Sequence, residues 1–362
     1  MTLSKERRCL VWLSCAEIAA DRVQKLLAAQ GSATALWEQF GQGKRFSKNG
    51  EANRILTYYH RESVLDSLLE RMEKQGIQLL FSDDALYPTL LKSIDDPPYL
   101  LYCMGDATVL NRLSVAVVGT RHPSGYGADM AKSIAGDLSE AGVCIVSGLA
   151  IGIDANAHTG ALQKGGTTVA VLGSGLGTPY PPENTGLFHE ILNSGGAVIT
   201  EYLPDARPLS FHFPHRNRII SGLCRGIVFV EGRIKSGGMI TVRTALDQGR
   251  DVFAVPGNIG QYYAEGPNAI IREGAVMITS VDDILDELGL EKSAPDTVQE
   301  AKPSDPVSAA ILRALAKEAM GMDTLQTETG LTTDKLIAQL CMLEISGDIK
   351  RESGNMYRLT NH

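Results

Sequence analysis

The sequence predicts an α/β protein built on a doubly wound, mostly parallel sheet, with a small helical domain before it and a winged-helix domain after it. Three observations carry this. Short continuous apolar runs alternate with helical segments from Ser114 to about Leu288, as expected of strands buried on both faces of a parallel sheet. Glycine is abundant (37 residues) and aromatics are only 6%, a composition that suits many tight strand–helix turns. At 362 residues with 44% hydrophobic content, the chain has material for two or three domains and a sizeable core.

Residues 1–80 read as helical: Ala19, Val23, Leu26 and Leu27, then Val64, Leu65, Leu68 and Leu69, recur at helical spacing. Residues 81–113 form a connector with turn signals at Tyr87-Pro88 and Asp95-Asp96-Pro97-Pro98, and a short strand at Tyr99–Tyr102. Strands are expected at Val115–Val118, Val143–Val146, Thr168–Leu172, Ala197–Thr200, Gly226–Val230, Asp251–Val255 and Val276–Ile278. Helices are expected at Gly127–Ala141, Asp154–Lys164, Leu187–Asn193, Asn217–Gly222, Ile240–Gln248 and Val281–Leu288. The domain comprises residues 81–288, and residues 289–306, polar and proline-containing, read as a linker. Residues 307–362 show three helices and a hairpin turning at Ser353-Gly354-Asn355, a winged-helix pattern whose third helix carries one cation, Lys335. That poverty of charge favours a protein-contact or regulatory role as much as DNA reading.

The net charge is −8 and the pI about 5.5, which excludes a surface coated in positive charge. Locally the sign inverts. Between Arg207 and Arg243, seven basic residues stand against the single acid Glu231, a charge of +6. The same stretch holds Phe211 and Phe213, the run Arg216-Asn217-Arg218, and Lys235-Ser236-Gly237-Gly238 before a helix. Cations for phosphates, aromatic faces for bases and glycines that admit phosphate to the backbone are what a single-stranded nucleic acid site needs; the bland alternative is a solvated face over buried phenylalanines. Phe213 is the better stacking candidate, and Phe211 is expected in the core. Arg216 and Arg218 have two readings: phosphate contacts with Asn217 capping the following helix, or pairing with Glu201 or Glu231.

Ligands of open α/β sheets bind outside the carboxyl ends of the strands. There lie Gly119-Thr120-Arg121, Ser147-Gly148, Gly173-Ser174-Gly175 and Glu231 to Gly238, each before a helix or turn whose amides attract anions. Such a row suits a polymer backbone better than one mononucleotide. No G-x-G-x-x-G dinucleotide fingerprint, P-loop or G-x-S-x-G elbow occurs. Asp154 and His158 stand four apart, but a helix-capping Asp and a packed His are the commoner outcome. No catalytic residue, metal site or cofactor is therefore expected. The six scattered cysteines, without a C-x-x-C pair, indicate free thiols in a reducing compartment. With no apolar run of spanning length and no signal-peptide core, a cytoplasmic protein without membrane contact is expected.

The central segments also resemble a known family. They are Val115-Ala116-Val117-Val118-Gly119-Thr120-Arg121, Val146-Ser147-Gly148-Leu149-Ala150, Gly152-Ile153-Asp154 with Ala157-His158, and Ala170-Val171-Leu172-Gly173. Further on come Tyr180-Pro181 with Asn184, Glu201-Tyr202, Phe213-Pro214 with Arg216-Asn217-Arg218-Ile219-Ile220, Val230-Glu231, Ser236-Gly237 with Thr241, and Ala254-Val255-Pro256-Gly257. In this order, over about residues 80–285, they resemble the DNA-processing protein A (DprA, or Smf) family. The resemblance implies an extended Rossmann-like domain that dimerises and binds single-stranded DNA, between a helical SAM-like front domain and a winged-helix tail. It implies a non-enzymatic mediator that protects incoming strands and helps load the RecA recombinase in natural transformation. DNA contacts would fall on Gly119, Thr120, Arg121, Ser147, Gly148, Phe213, Arg216, Asn217, Arg218, Lys235, Ser236, Gly237 and Gly238.

Two positions depart from the family pattern. Ile151 stands where a basic residue is common, so that one contact is either missing or supplied by Lys164 or Arg207, and Gly238 stands where a second serine is usual. The competing enzyme reading is a nucleotide-processing phosphoribohydrolase, with Glu231 near the ribose and Ser236-Gly237-Gly238 as its loop; the full P-G-G-x-G-T pattern of such enzymes is absent.

Overall fold

The structure is a computed structural model, and it describes residues 3–290, 306–316, 319–352 and 356–359. Residues 291–305, the bulk of the predicted linker, and the predicted turn Ser353-Gly354-Asn355 lie outside the described residues. The chain divides into two compact units, Met1–Glu291 and Lys292–His362.

The first unit begins with α1 (Lys5–Ser14), α2 (Ala20–Gln30), α3 (Ala33–Gly41), α4 (Gly50–Tyr59) and α5 (Glu62–Lys74). Ser4 and Ser32 cap α1 and α3 through their side chains, satisfying amides the helices leave free. Trp12 is fully buried among Trp37 and Phe40, and its indole N–H donates to the Leu56 carbonyl at 2.9 Å. Then follow β1 (Gln78–Phe81), α6 (Thr89–Lys92), β2 (Leu100–Gly105), β3 (Ser114–Val118), α7 (Gly125–Glu140), β4 (Cys144–Ser147), α8 (Ile153–Gln163) and β5 (Thr168–Val171). The unit continues through α9 (Thr185–Asn193), β6 (Ala197–Thr200), α10 (His212–Leu223), β7 (Gly226–Phe229), α11 (Gly237–Asp247), β8 (Asp251–Ala254), α12 (Glu265–Arg272), β9 (Val276–Met277) and α13 (Val281–Glu287).

The nine strands form one sheet in the order β1-β2-β6-β5-β4-β3-β7-β8-β9. The β1–β2 and β2–β6 pairs are antiparallel, and every other pair is parallel. The strands expected from Val115 onward are present, each within about a residue of its expected ends, and the short strand expected at Tyr99–Tyr102 runs on to Gly105. Strand β1 was not expected; it crosses residue 80, where the sequence suggested a domain boundary. Helix α12 was hidden by Gly266-Pro267, which sit in its first turn where a missing N–H is harmless.

Alternate strand residues feed two cores. Ala116, Val118, Val146, Val171, Ile227 and Phe229 pack under α10 and α11, whereas Val115, Val117, Ile145 and Val228 pack under α7, α8 and α13. The second face continues into the amino-terminal helices, whose Trp12, Leu36 and Leu56 share a core with Tyr102, Ala170, Leu172 and Val198 of the sheet. Those helices are therefore stabilised by the sheet face they cover.

Topology places the site. Strand β3 is flanked by β4 on one side and β7 on the other, so the winding direction reverses there. A crevice opens outside the carboxyl ends at such a point.

The second unit is a winged helix. It holds α14 (Pro306–Leu315), β10 (Met320–Gly321), α15 (Met322–Thr329), α16 (Thr333–Ser346), β11 (Ile349–Glu352) and β12 (Met356–Leu359), in sheet order β10-β12-β11. Gly330 and Gly347, both at positive φ, end α15 and α16. Helix α16 buries Leu336, Leu340 and Leu343 while Ile337 and Met342 are exposed.

Candidate nucleic-acid interface

At the reversal point three loops meet: 119–124 after β3, 148–152 after β4 and 230–236 after β7. Their backbones approach closely, and glycine is what permits it. A Cβ on Gly119 would lie 2.7 Å from the Glu231 carbonyl oxygen, and one on Gly152, at φ +85°, would lie 2.4 Å from the Thr120 carbonyl oxygen. Glu231 fastens the first loop. Its carbonyl accepts from Thr120 N–H at 2.7 Å, and its carboxylate accepts from the Ser124 N–H at 2.8 Å and hydroxyl at 2.5 Å. At 5% exposure, that carboxylate is committed to holding the loop.

Helices α7, α8 and α11 each follow a parallel strand, so their amino termini all face this edge. In α11 the Ser236 hydroxyl accepts from Met239 N–H at 3.3 Å, and among the described residues the first-turn amides of Gly237 and Gly238 have no acceptor. Gly238 has its own reason: a Cβ would come 2.8 Å from the Phe229 ring and 3.2 Å from Gly119 Cα. The serine usual at this position would have to displace one of them.

The loops and the first turns of α10 enclose a cleft of about 650 Å³ lined by Gly119, Thr120, Arg121, Phe213, Arg216 and Asn217 and by Ser236–Gly238. Gly148 and Ile151 line an adjoining hollow with Arg121, Tyr180 and Phe213. Lys235 is exposed at the turn just before Ser236. Arg121 is exposed, its guanidinium 5.5 Å from the centre of the Phe213 ring; among the described residues no carboxylate pairs with it. Gly173 makes room for that ring, since a Cβ there would lie 2.8 Å from it. Tyr180, 5.6 Å from Phe213, extends the aromatic ledge. It was noted in the sequence only as part of a motif; the signal available was an aromatic before a proline in a glycine-rich loop.

Several expectations need correction. Arg216-Asn217-Arg218 is not a loop and Asn217 caps nothing, because α10 starts at His212. Pro214 falls in its first turn, where its missing N–H costs nothing. Within a helix, residues 216 and 218 point roughly 200° apart. Arg216 faces the cleft floor, whereas Arg218 faces away and pairs with Glu201 at 2.5 Å and Asp96 at 3.3 Å. Ser147 is fully buried, its hydroxyl donating to the Val117 carbonyl at 2.7 Å. Phe211, expected in the core, is 65% exposed. Lys164 cannot replace a cation at Ile151: it pairs with Glu140 at 3.2 Å beyond the far end of α8, roughly 16 Å along that helix. Arg207 is exposed beside Pro208, which lines the cleft.

The basic stretch is also dispersed. Arg233 pairs with Glu265 at 3.2 Å, and Arg225 lies before β7, at the opposite edge of the sheet. The exposed Arg121, from a different part of the sequence, joins the cleft instead.

Arg216 is 5% exposed and donates to the carbonyls of Gly148, at 2.9 Å, and Val171. It lies against Asp154, whose carboxylate accepts from the N–H groups of Gly148 at 3.1 Å and Ala150 at 3.4 Å. Burial pushes the Asp154 carboxyl up against the pull of Arg216, and pushes the Arg216 guanidinium down to about 10. Asp154 is thus a loop-holding residue at the second position of α8. His158 is fully buried, bonded through Nδ1 to the Thr168 hydroxyl at 2.7 Å, and burial pushes it down to about 3, so it stays neutral. Among the described residues no group of three His, Cys, Asp or Glu is placed to hold a metal ion, and no helix is long and apolar enough to cross a membrane.

On the far side of α10, His215 lies 3.5 Å from Asp96 and 3.0 Å from Glu201, which together raise it to about 9 against desolvation and Arg218. A raised imidazole contributes stability in full below its unfolded value near 6.5, lost as pH rises through the folded value. The urea midpoint is therefore expected to fall between about pH 6.5 and 9, and the His215→Gln variant to flatten that decline. An equal decline in the variant would remove His215 from this role.

Residues 78–289 match the DNA recombination-mediator protein A family, and residues 293–355 match the DprA winged helix domain. The chain is 37% identical over 316 residues to Protein Smf of Escherichia coli, covering 85% of this chain and 84% of that protein. It is 46% identical over 204 residues to DNA processing protein DprA of Streptococcus pneumoniae, covering 56% of this chain and 72% of that one. The X-ray structure of the Streptococcus pneumoniae protein superposes with a TM-score of 0.66 at 36% identity, over 79% of this chain and 99% of that one. A Helicobacter pylori DNA processing protein A, described for its single-stranded DNA binding mode, superposes with a TM-score of 0.53 at 30% identity, over 59% of this chain and 95% of that one. With the family matched across the whole sheet and the winged helix matched beyond it, this chain belongs to the DNA recombination-mediator protein A family.

Proposed function

We propose that the protein binds single-stranded DNA along the carboxyl edge of its sheet and acts, as a homodimer in the cytoplasm, as a non-enzymatic recombination mediator. Its proposed task is to protect incoming single strands and help load RecA onto them in natural transformation. The observation that carries the DNA-binding step is the exposed Arg121, without a carboxylate partner among the described residues, over the Phe213 ring and beside the open amino terminus of α11. A cation next to a stacking face and a row of amides serves phosphate and base together without reading sequence. Direct contacts are assigned to Gly119, Thr120, Arg121, Gly148, Phe213, Asn217, Lys235, Ser236, Gly237 and Gly238. Arg216 lends its charge from the floor, and Ser147 and Arg218 are left as structural. The mediator role and RecA rest on membership of the family.

The phosphoribohydrolase alternative needs a free Glu231 carboxylate at the ribose. Glu231 instead accepts both the N–H and hydroxyl of Ser124 and is buried beneath Gly127, so that reading is not favoured.

Fluorescence anisotropy of labelled oligothymidine, titrated at several salt concentrations, tests the proposal. Binding is expected to weaken steeply with salt. Three exposed cations per protomer, Arg121, Lys235 and Arg207, correspond to a slope of about −2 in log K against log salt. Absence of binding at low salt would overturn the single-strand reading.

A further inference from the structure

Helix α10 separates two recesses. One is the cleft just described. The other, about 290 Å³, lies between its first turn and the amino-terminal helices, and is lined among others by Glu17, Tyr99, Glu201, Tyr202, Phe211 and His212. Their mouths adjoin through consecutive residues: Ser210 and Phe213 line the cleft, Phe211 and His212 the second cavity.

Its chemistry is unlike that of the cleft. Tyr202 and His212 stack with centroids 3.9 Å apart and planes 19° apart, and Phe211 stands edge-on to His212 at 4.6 Å. Phe211 presents a large apolar ring to solvent at the junction of the recesses, where burial would be the ordinary fate of such a side chain. His212 is 1% exposed, and among the described residues neither ring nitrogen has a hydrogen-bond partner, although buried polar groups are normally satisfied. Two carboxylates reach the cavity. Glu201 is already compensated by Arg218 at 2.5 Å and His215 at 3.0 Å. Glu17 has no lysine or arginine partner among the described residues; the ring nitrogen beside it is His212 Nε2, 3.3 Å from its Oε2. It also holds a positive φ of 47° in the α1–α2 connector, a strained geometry for a residue with a side chain.

We propose that this cavity is a base-receiving subsite: a single strand leaving the cleft crosses Phe211, and one nucleobase enters against Tyr202 and His212 with its exocyclic amino group on Glu17. The inference rests on the single-strand reading of the cleft. An ionised carboxylate only accepts hydrogen bonds, so Glu17 favours bases that carry an amino group. Cytosine offers one and thymine does not. The phosphates stay outside, so Glu17 meets the base rather than the backbone charge.

Anisotropy with the full-length protein and labelled oligocytidine and oligothymidine of equal length tests this. The wild type is expected to bind oligocytidine about tenfold more tightly. Glu17→Ala should bring the two together by weakening oligocytidine alone. Phe211→Ala, at an exposed position, should weaken both about fivefold or more through lost stacking. Equal wild-type affinities, a preference that survives Glu17→Ala, or an unaffected Phe211→Ala would each overturn the subsite while leaving oligothymidine binding in the cleft intact. Capture of an oligoarginine peptide that Glu17→Ala abolishes, without any base preference, would overturn it in favour of a basic protein segment. Binding of neither oligonucleotide would defeat the cleft reading itself.

Discussion

Arg121→Glu is expected to lose oligothymidine binding by about hundredfold or more, because reversal removes a phosphate contact and sets a negative charge against the backbone, a juxtaposition that costs several kcal/mol. Arg121 is exposed and has no carboxylate partner among the described residues, so the fold should tolerate the change. The neutral Arg121→Gln should weaken binding less and reduce the salt slope by about 0.7, the share of one phosphate contact on a single strand. Anisotropy at a series of salt concentrations separates the two effects. Unchanged affinity in Arg121→Glu would remove the cleft from the binding path. A parallel loss of thermal stability would instead point to a damaged loop.

Arg216→Met should destabilise the first unit by about 2–4 kcal/mol, the cost of leaving two buried carbonyls without their donor and a buried carboxylate without its nearby cation. Asp154 would keep its place under Gly148 and Ala150, but without the guanidinium the upward push of burial on its carboxyl would go unopposed by that charge. The carbonyls of Gly148 and Val171 would also lose a donor. Urea unfolding of the single and double variants provides the check. Arg216→Met with Asp154→Asn should recover much of the loss, because a neutral amide can still accept from the two loop N–H groups. A single variant within about 1 kcal/mol of wild type would show that the pair does not hold the β4–α8 loop.

The two variants act through different physics, although both residues line one cleft. Arg121 is at the surface, and its worth lies in a ligand. Arg216 is at the floor, and its worth lies largely in the protein. In sequence both were simply arginines near glycine and aromatic residues.

Much of the fold was legible because the signals are local. A run such as Val115–Val118 is apolar at every position, which marks a strand covered on both faces. The loops at Gly119 and Gly148 stood out because glycine follows a strand and a helix comes next. Exceptions had local causes too: Pro214 in the first turn of α10 looked like a break, and the short strand β1 followed α5 without a clear alternation.

The α/β class, the succession of strands and helices, the winged helix and the loops that meet at the carboxyl edge can all be read from the order of the amino acids. Local periodicity and turn chemistry encode these, and the ordered motifs pointed to the family. Which cations have partners among the described residues emerges from the folded contacts. Arg218 finds Glu201, Arg233 finds Glu265 and Arg216 finds the carbonyls of Gly148 and Val171, while Arg121 meets Phe213, 92 positions away in the chain. Charge pairing and burial depend on distance in space. A chain that reverses its winding at β3 brings together residues whose separation in sequence carries no trace of their contact.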